Sequence, residues 1–374
     1  MMNHGMKNQG AMPDDVALNH LYAVVMAGGR GTRFWPESRS HRPKQFLTIV
    51  GDQTMIRQTV TRVTDLVPPE RLFVVTAHAL AGPLKETLPE IPPGNLLLEP
   101  VGRNTAPCVA WASAVIAERD PDAVLAILAS DHVIEPRDAF QDQLVAAVKL
   151  AFQSRRIVTL GIPPDRPETG FGYLQMGQVI GDIDDLSYSD VLRFIEKPDR
   201  LTAERYVAEG GYLWNSGMFV FSAATMLKEM ETHQPEILEG ILEIVESRND
   251  AEVIDSVFPD LPSVSIDFGV MERTRGILGM PVSFDWSDVG NWQTMYHHIP
   301  KNEDGNHIRG QALLQDCRGV LSWSGNRLIV GIGLDNIIVV ETEDAVLVCR
   351  KDLAQVVGDV VKSLERSESG KRFI

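Results

Sequence analysis

Three cysteines in 374 residues are too few and too scattered to hold this chain together. Cys108, Cys317 and Cys349 form no Cys-x-x-Cys pair, which excludes a zinc knuckle and a disulfide framework. Each reads as a small buried hydrophobe in a reducing cytoplasm. Long apolar runs are also missing: nowhere do about 18 apolar residues follow one another, so no membrane span is expected. Residues 1–18, rich in Met, Asn, Gly and Asp, lack the apolar core of a signal peptide and read as a flexible tail. Positive charge is the third shortage. Lys and Arg number 35 against 51 Asp and Glu, a net charge of −16, which argues against nucleic-acid and anionic-membrane partners. Any anionic substrate must therefore be met by a local basic pocket. Two common phosphate motifs are absent as well. No Gly-Lys is followed by Ser or Thr, and the glycines at 28, 29 and 31, with Arg33 where the last should stand, fail the dinucleotide fingerprint.

What is present is a third kind of phosphate loop. Tyr22-Ala-Val-Val-Met-Ala runs like a strand into Gly28-Gly29-Arg30-Gly31-Thr32-Arg33, and Arg42-Pro43-Lys44-Gln45 follows soon after. Glycines let a backbone curl around an anion with its N–H groups inward, and Arg and Lys supply the charge that amides cannot. Glycines alone would also suit a tight turn; the cations beside them favour a polyphosphate.

At this length two domains are expected. From residue 20 to about 300, apolar runs at Tyr22–Ala27, Arg71–Thr76, Ala123–Leu128, Ile157–Gly161 and Val191–Ile195 read as strands. Between them, Ile56, Val60, Val63 and Val67 recur at helical spacing, as do apolar positions of Thr105–Ala117 and Ala139–Phe152. Such alternation predicts an α/β fold: a Rossmann-like, mixed but mostly parallel sheet flanked by helices, with ligands beyond the strands' carboxyl ends. After residue 300 the texture changes. His307–Cys349 gives short strand-like runs punctuated by glycine, with no long helix until Leu353–Leu364. This predicts a small β-rich, β-helix-like domain. The expected layout is a tail at 1–18, a catalytic domain at 19–300, a β-rich domain at 301–365 and a polar, frayed tail at 366–374.

Several segments carry chemistry. Ala129-Ser130-Asp131-His132 follows a strand, and Phe284-Asp285-Trp286-Ser287-Asp288-Val289-Gly290 is a second acidic site. Two aspartates from distant segments suit Mg²⁺, which takes hard oxygen ligands and completes its octahedron with phosphate and water. A lone Asp after a strand would equally serve as a helix cap. His132 has no second ligand at useful spacing and reads as structural. Thr169-Gly170-Phe171-Gly172-Tyr173 offers a close backbone approach. Phe194-Ile195-Glu196-Lys197-Pro198 puts a carboxylate beside an amine, and Trp214-Asn215-Ser216-Gly217 adds an amide that both donates and accepts.

The run Gly-Gly-Arg-Gly-Thr-Arg-Phe-Trp-Pro-Glu-Ser-Arg with Pro-Lys-Gln-Phe resembles the signature of sugar-1-phosphate nucleotidylyltransferases. Its Phe34-Trp35-Pro36 continuation is most similar to the mannose-1-phosphate guanylyltransferase branch. The resemblance covers about residues 20–300 with seven ordered motifs, and more loosely the β-rich domain. It implies the nucleotide-diphospho-sugar transferase fold and transfer of GMP from GTP to mannose 1-phosphate, giving GDP-mannose and pyrophosphate. Arg33 and Lys44 are then the catalytic cations, Arg33 on the β/γ-phosphates and Lys44 between the α-phosphate and the departing oxygen; Arg30 and Arg39 are weaker candidates. Gly28, Gly29, Arg30, Gly31, Thr32, Glu99, Gly102, Arg103 and Asn104 are the nucleotide contacts. Glu99 is the carboxylate able to accept N1–H and N2–H of guanine, or else a partner for Arg103. Gly172, Glu196, Lys197 and Asn215 form the sugar-phosphate side. Asp131 and Asp288 hold Mg²⁺, with Asp285 a near alternative. No room remains after residue 374 for a second, isomerase domain, so the chain reads as the stand-alone form: cytoplasmic, and a homodimer through its C-terminal domain. Another sugar 1-phosphate or triphosphate, or a non-catalytic nucleotide-sugar-sensing subunit, are the competing readings.

Overall fold

The computed structural model describes residues 15–374. Residues 1–14 of the expected tail lie outside the described residues; Asp15–Asn19 forms a short helix.

Six consecutive apolar residues, Leu21–Met26, form β1 and are buried on both sides of the sheet, as layers of helix above and below a parallel strand require. β2 (Leu72–Ala77), β3 (Leu96–Glu99) and β4 (Val124–Ala129) follow. Next come a short β5 (Val133–Glu135), β6 (Val158–Ile162), the long hairpin of β7 (Tyr173–Ile183) and β8 (Leu186–Ile195), β9 (Tyr212–Ser222) and β10 (Leu278–Pro281). All but β5 join one sheet in the order β3-β2-β1-β4-β9-β6-β10-β8-β7. The first four strands run parallel, with Ala23 beside Leu72 on one side and Ala126 on the other. β9 enters antiparallel between β4 and β6. The sheet is therefore mixed with a parallel half. The apolar runs read from the sequence did not include β9; it is buried along nearly its whole length, so the period-2 alternation of a half-exposed strand is missing from it.

Each face of the sheet is covered by a helix that the apolar spacing foreshadows. Thr105–Arg119 contributes Val109, Trp111 and Ile116 to one core, and Arg137–Ser154 contributes Phe140, Leu144 and Val148 to the other. Because β1 lies between β2 and β4, the chain leaves β1 in one direction and returns on its other side. The crevice this opens lies at the carboxyl ends of β1 and β4.

Beyond β11 (Asp285–Ser287), which pairs with β5, the second part begins. β12 (His307–Arg309), β13 (Ala312–Gln315), β14 (Leu321–Ser324), β15 (Ile329–Ile332), β16 (Ile337–Glu341) and β17 (Val346–Arg350) are all short. β12, β14 and β16 stack parallel, as do β13 and β15, while β17 closes the first stack antiparallel. Two parallel stacks fed by glycine turns are the irregular β-helix expected from the sequence.

One aromatic core joins the two parts. The Phe34 ring lies 5.1 Å from Trp292, and Trp292 lies 5.4 Å from Trp323; Trp292 Nε1 donates to the Trp35 carbonyl at 3.1 Å. The tail at 366–374, expected to fray, docks instead: the Trp35 indole donates to the Phe373 carbonyl at 2.7 Å. Among the described residues no helix is long and apolar enough to cross a membrane.

Candidate active site

Parallel strands end together, so whatever follows β1, β3 and β4 shares one rim. The glycine loop follows β1, Glu99 closes β3, and Asp131 stands two residues past β4. Gly31 turns the loop with φ of +58°, and a Cβ there would overlap the Lys44 Cβ, so glycine is demanded by both backbone and space. The turn is tied by Ser38, whose hydroxyl donates to the Gly31 carbonyl at 2.7 Å.

Lys44 is the centre of the arrangement. Its side chain is 5% exposed, and Nζ donates to Asp131 Oδ2 at 2.9 Å, to the Asp131 carbonyl at 3.0 Å and to the Asp288 carbonyl at 2.6 Å. An ammonium has three N–H groups, and all three are engaged. One side chain thereby brings together two acidic segments that lie far apart in sequence. Burial by itself would raise the Asp131 carboxyl, but Lys44, His132 and Arg33 outweigh it and hold it below the usual range. Among the described residues Asp131 Oδ1 accepts no hydrogen bond and the Asp288 carboxylate makes no ion pair within 4 Å. These are hard oxygens beside a glycine loop, a donor set that fits Mg²⁺ with phosphate oxygens completing the shell. Among the described residues no cluster of three or more His, Cys, Asp or Glu suits a metal ion. Asp285 is exposed and sits in β11 opposite Glu135. His132 accepts from the Trp286 indole at 3.1 Å, and burial lowers its basicity; it is a structural partner.

The other arginines of the signature divide. Arg33 Nη1 donates to Gln355 Oε1 at 3.1 Å, and Arg30 pairs with Glu365. Arg39 is taken up by Asp344, Thr342 and the Phe373 carbonyl, a brace to the β-rich part. Thr32 opens the 3₁₀ turn Thr32–Phe34. Gly28 and Gly29 are exposed beside it.

Glu99 is 5% exposed. Its Oε1 has no hydrogen-bond partner, and neither has Arg103 Nε; the two side chains do not pair. Burial pushes the Glu99 carboxyl up to about 7. Its Oε2 lies 3.7 Å from where a Gly28 Cβ would be, so the carboxyl faces the glycine loop. Gly102 borders open space, and Asn104 caps the helix Thr105–Arg119 through its side chain.

The sugar-side candidates also converge. A Cβ on Gly172 would lie 2.5 Å from Glu196 Oε2 and 3.2 Å from Asn215 Cβ. Glu196 Oε1 meets Lys197 Nζ at 3.1 Å, while Oε2 is buried without a partner. Burial and the neighbouring Asp267 raise the Glu196 carboxyl. Asp267 and Glu272 went unseen in the sequence. Asp267 opens a π-helical turn, accepts from Asn215 Nδ2 at 2.9 Å and is itself raised by burial. Glu272 accepts from the Glu196 amide at 2.8 Å. The signal that would have found them is weak: acidic residues in Ile266-Asp267-Phe268-Gly269 and just after it, beyond reach of any local motif.

The nucleotidyl transferase family model matches residues 22–305, and the MannoseP isomerase/GMP-like beta-helix domain matches residues 310–364. A mannose-1-phosphate guanylyltransferase of Klebsiella pneumoniae is 37% identical over 355 residues, which cover 93% of this chain and 74% of that protein. The alginate biosynthesis protein AlgA of Pseudomonas aeruginosa is 38% identical over 93% of this chain and 74% of its own length. Among solved structures, one described as mannose-1-phosphate geranyltransferase from Thermus thermophilus superposes with a TM-score of 0.82 at 33% identity. The match covers 92% of this chain and 99% of that one.

Proposed function

The chain belongs to the nucleotidyl transferase family, within the mannose-1-phosphate guanylyltransferases, and we propose that it transfers GMP from GTP to mannose 1-phosphate. Residues 19–300 form the catalytic domain in this reading, and 301–365 the β-rich domain. A phosphate oxygen of mannose 1-phosphate forms a bond to the GTP α-phosphorus, the bond from that phosphorus to the β-phosphate bridging oxygen breaks, and pyrophosphate leaves in line. The protein forms no covalent bond; it positions groups and stabilises charge.

The amides of residues 28–31 line the triphosphate, with Arg30 and Thr32 beside them and Arg33 on the β- and γ-phosphates. Lys44 keeps Asp131 and the Asp288 segment in register and sets its charge beneath the α-phosphate. Asp131 and Asp288 hold Mg²⁺, which when bound neutralises triphosphate charge. Ionised Glu99 accepts the N1–H and N2–H of guanine, with Gly102, Arg103 and Asn104 at the rim. Glu196 takes sugar hydroxyls, Asn215 is oriented by Asp267, Lys197 meets the sugar's phosphate, and Gly172 leaves the space. The observation that carries this reading is the meeting of Asp131 and the Asp288 backbone on one buried ammonium beside the glycine loop.

The reading extends to cytoplasmic work, with Cys108, Cys317 and Cys349 as free thiols. It also extends to a homodimer through the C-terminal domain, where Leu313, Val330 and Ile332 expose an apolar face; light scattering of the parent and of Val330→Asp tests that. The activity is tested by pyrophosphate release from the purified chain with GTP, UTP, dTTP or ATP against mannose 1-phosphate and glucose 1-phosphate. Preference for GTP and mannose 1-phosphate is expected. Preference for another pair reassigns the substrate, and no release in any combination points to a sensing subunit.

A further inference from the structure

Arg33 is held by a residue from outside the catalytic domain. Gln355 belongs to the 3₁₀ turn Lys351–Val356 that leads out of the β-rich part, and its Oε1 accepts from two donors at once. Arg33 Nη1 lies at 3.1 Å and Asn291 Nδ2 at 3.0 Å. Asn291 is a fixed point. It follows Asp288-Val289-Gly290 directly and caps the helix Trp292–His297 through reciprocal hydrogen bonds with Thr294 of 2.9 and 3.0 Å. One oxygen thus ties the arginine of the glycine loop to the segment that carries Asp288.

Two glycines leave space around this tie. A Cβ on Gly290 would lie 2.8 Å from Asp288 Oδ2 and 3.5 Å from Arg33 Nη1, so the carboxylate and the guanidinium share one small volume. A Cβ on Gly358 would lie 3.3 Å from Arg33 Cγ and 3.7 Å from Thr32 Oγ1, so the C-terminal helix Val357–Glu365 flanks the Arg33 stem. A long arginine side chain gives up much rotamer freedom when a ligand has to order it. Acceptance by Gln355 orders it before substrate arrives.

We propose that Gln355 is a positioning residue for nucleotidyl transfer: seated by Asn291, its carbonyl oxygen aims the Arg33 guanidinium at the triphosphate beside Asp288. A neutral amide orients the cation without neutralising it, whereas a carboxylate in its place would compete with the phosphates. The proposal rests on the reading that Arg33 meets the triphosphate. It assigns the β-rich domain a part in the chemistry.

A double-mutant cycle on the full chain tests it. Gln355→Met keeps side-chain length and removes the acceptor. It is expected to lower kcat about tenfold, the order of loss from a small misplacement of a reacting group, with KM for mannose 1-phosphate changed less than about twofold. In an Arg33→Ala background the same substitution is expected to cost nothing further. Gln355→Glu keeps the accepting oxygen, so it restores kcat at saturating GTP while raising KM for GTP. An equal loss from Gln355→Met in both backgrounds, or a Gln355→Glu enzyme no faster than Gln355→Met, overturns the positioning role. If Arg33→Ala is impaired and Gln355→Met is not, this proposal alone fails. If Arg33→Ala keeps full turnover, the reading of Arg33 fails with it.

Discussion

The ammonium of Lys44 and the carboxylate of Asp131 form a pair with Nζ and Oδ2 2.9 Å apart, the lysine side chain almost wholly buried. Deleting the lysine leaves the Asp131 carboxylate without its partner, but that side chain is 35% exposed, so water offsets part of the loss and the cost falls below the ~3–5 kcal/mol of a fully buried pair. Lys44→Met should therefore lower both turnover, by ~10²-fold or more, and the melting temperature. Asp131→Asn should behave differently, because an amide oxygen can still accept from Lys44 and both carbonyl acceptors remain. A small change in melting temperature with a large rise in the Mg²⁺ concentration for half-maximal activity is the expected result. Unchanged activity with a large melting loss would reduce Asp131 to a structural role.

Glu99 carries a pH prediction. Its carboxyl, ordinarily near 4.5, is pushed up to about 7 by burial. A raised carboxyl means the folded chain binds more protons than the unfolded one between those values. Its favourable contribution is full below about 4.5 and declines as pH rises through about 7, by on the order of 3 kcal/mol. Glu99→Gln removes that decline, so the unliganded variant should gain melting temperature over the parent at pH 8 but not at pH 4.5. GTP affinity should run the other way. Only the ionised carboxylate accepts two guanine N–H groups, so KM for GTP should fall in the parent from pH 6 to 8 and stay flat in Glu99→Gln. A flat parent profile would detach Glu99 from the base.

How much of this was readable in the sequence depended on chain distance. The strands around the glycine loop were foreseen to within a residue or so, because Leu21–Met26 and Val124–Ala129 are unbroken apolar runs ended by glycine or a polar turn. The candidates Arg33, Lys44, Asp131 and Asp288 were visible because each sits in a dense local motif. Asp267 was not: its partner Asn215 is 52 residues away, and nothing local marks a π-helical turn. Gln355 was hidden for the same reason, 322 residues from Arg33. The polar end read as frayed because its anchor, Trp35, is 338 residues from Phe373. Composition describes a segment's own preference; docking depends on a surface assembled elsewhere.

The glycines of the signature should separate by what they make room for. Gly31→Ala sets a Cβ against Lys44 in a left-handed backbone, so a lower melting temperature and lost activity are expected together. Gly29 has nothing within 4 Å of its would-be Cβ. Gly29→Ala should melt like the parent and yet show a raised KM for GTP, since the space it fills is the ligand's. Parent-like kinetics in Gly29→Ala would move the triphosphate away from this loop.

Gly172 and Asp267 give the sugar side its test. In Gly172→Ala the new methyl would lie 2.5 Å from Glu196 Oε2, and the carboxylate must turn aside. Asp267→Leu attacks the same site from behind: Asn215 Nδ2 would lose the acceptor held at 2.9 Å, a bond worth about 1.5–3 kcal/mol when charge-assisted. Both variants should raise KM for mannose 1-phosphate about tenfold or more and narrow the preference for mannose over glucose 1-phosphate. KM for GTP should stay within about twofold, because no contact runs from Glu196 or Asn215 to the glycine loop among the described residues. Steady-state kinetics with each substrate varied in turn decides the matter. A parallel rise in both KM values would mean that the two halves of the cleft are one site, and that Glu196 and Asn215 do not read the sugar separately.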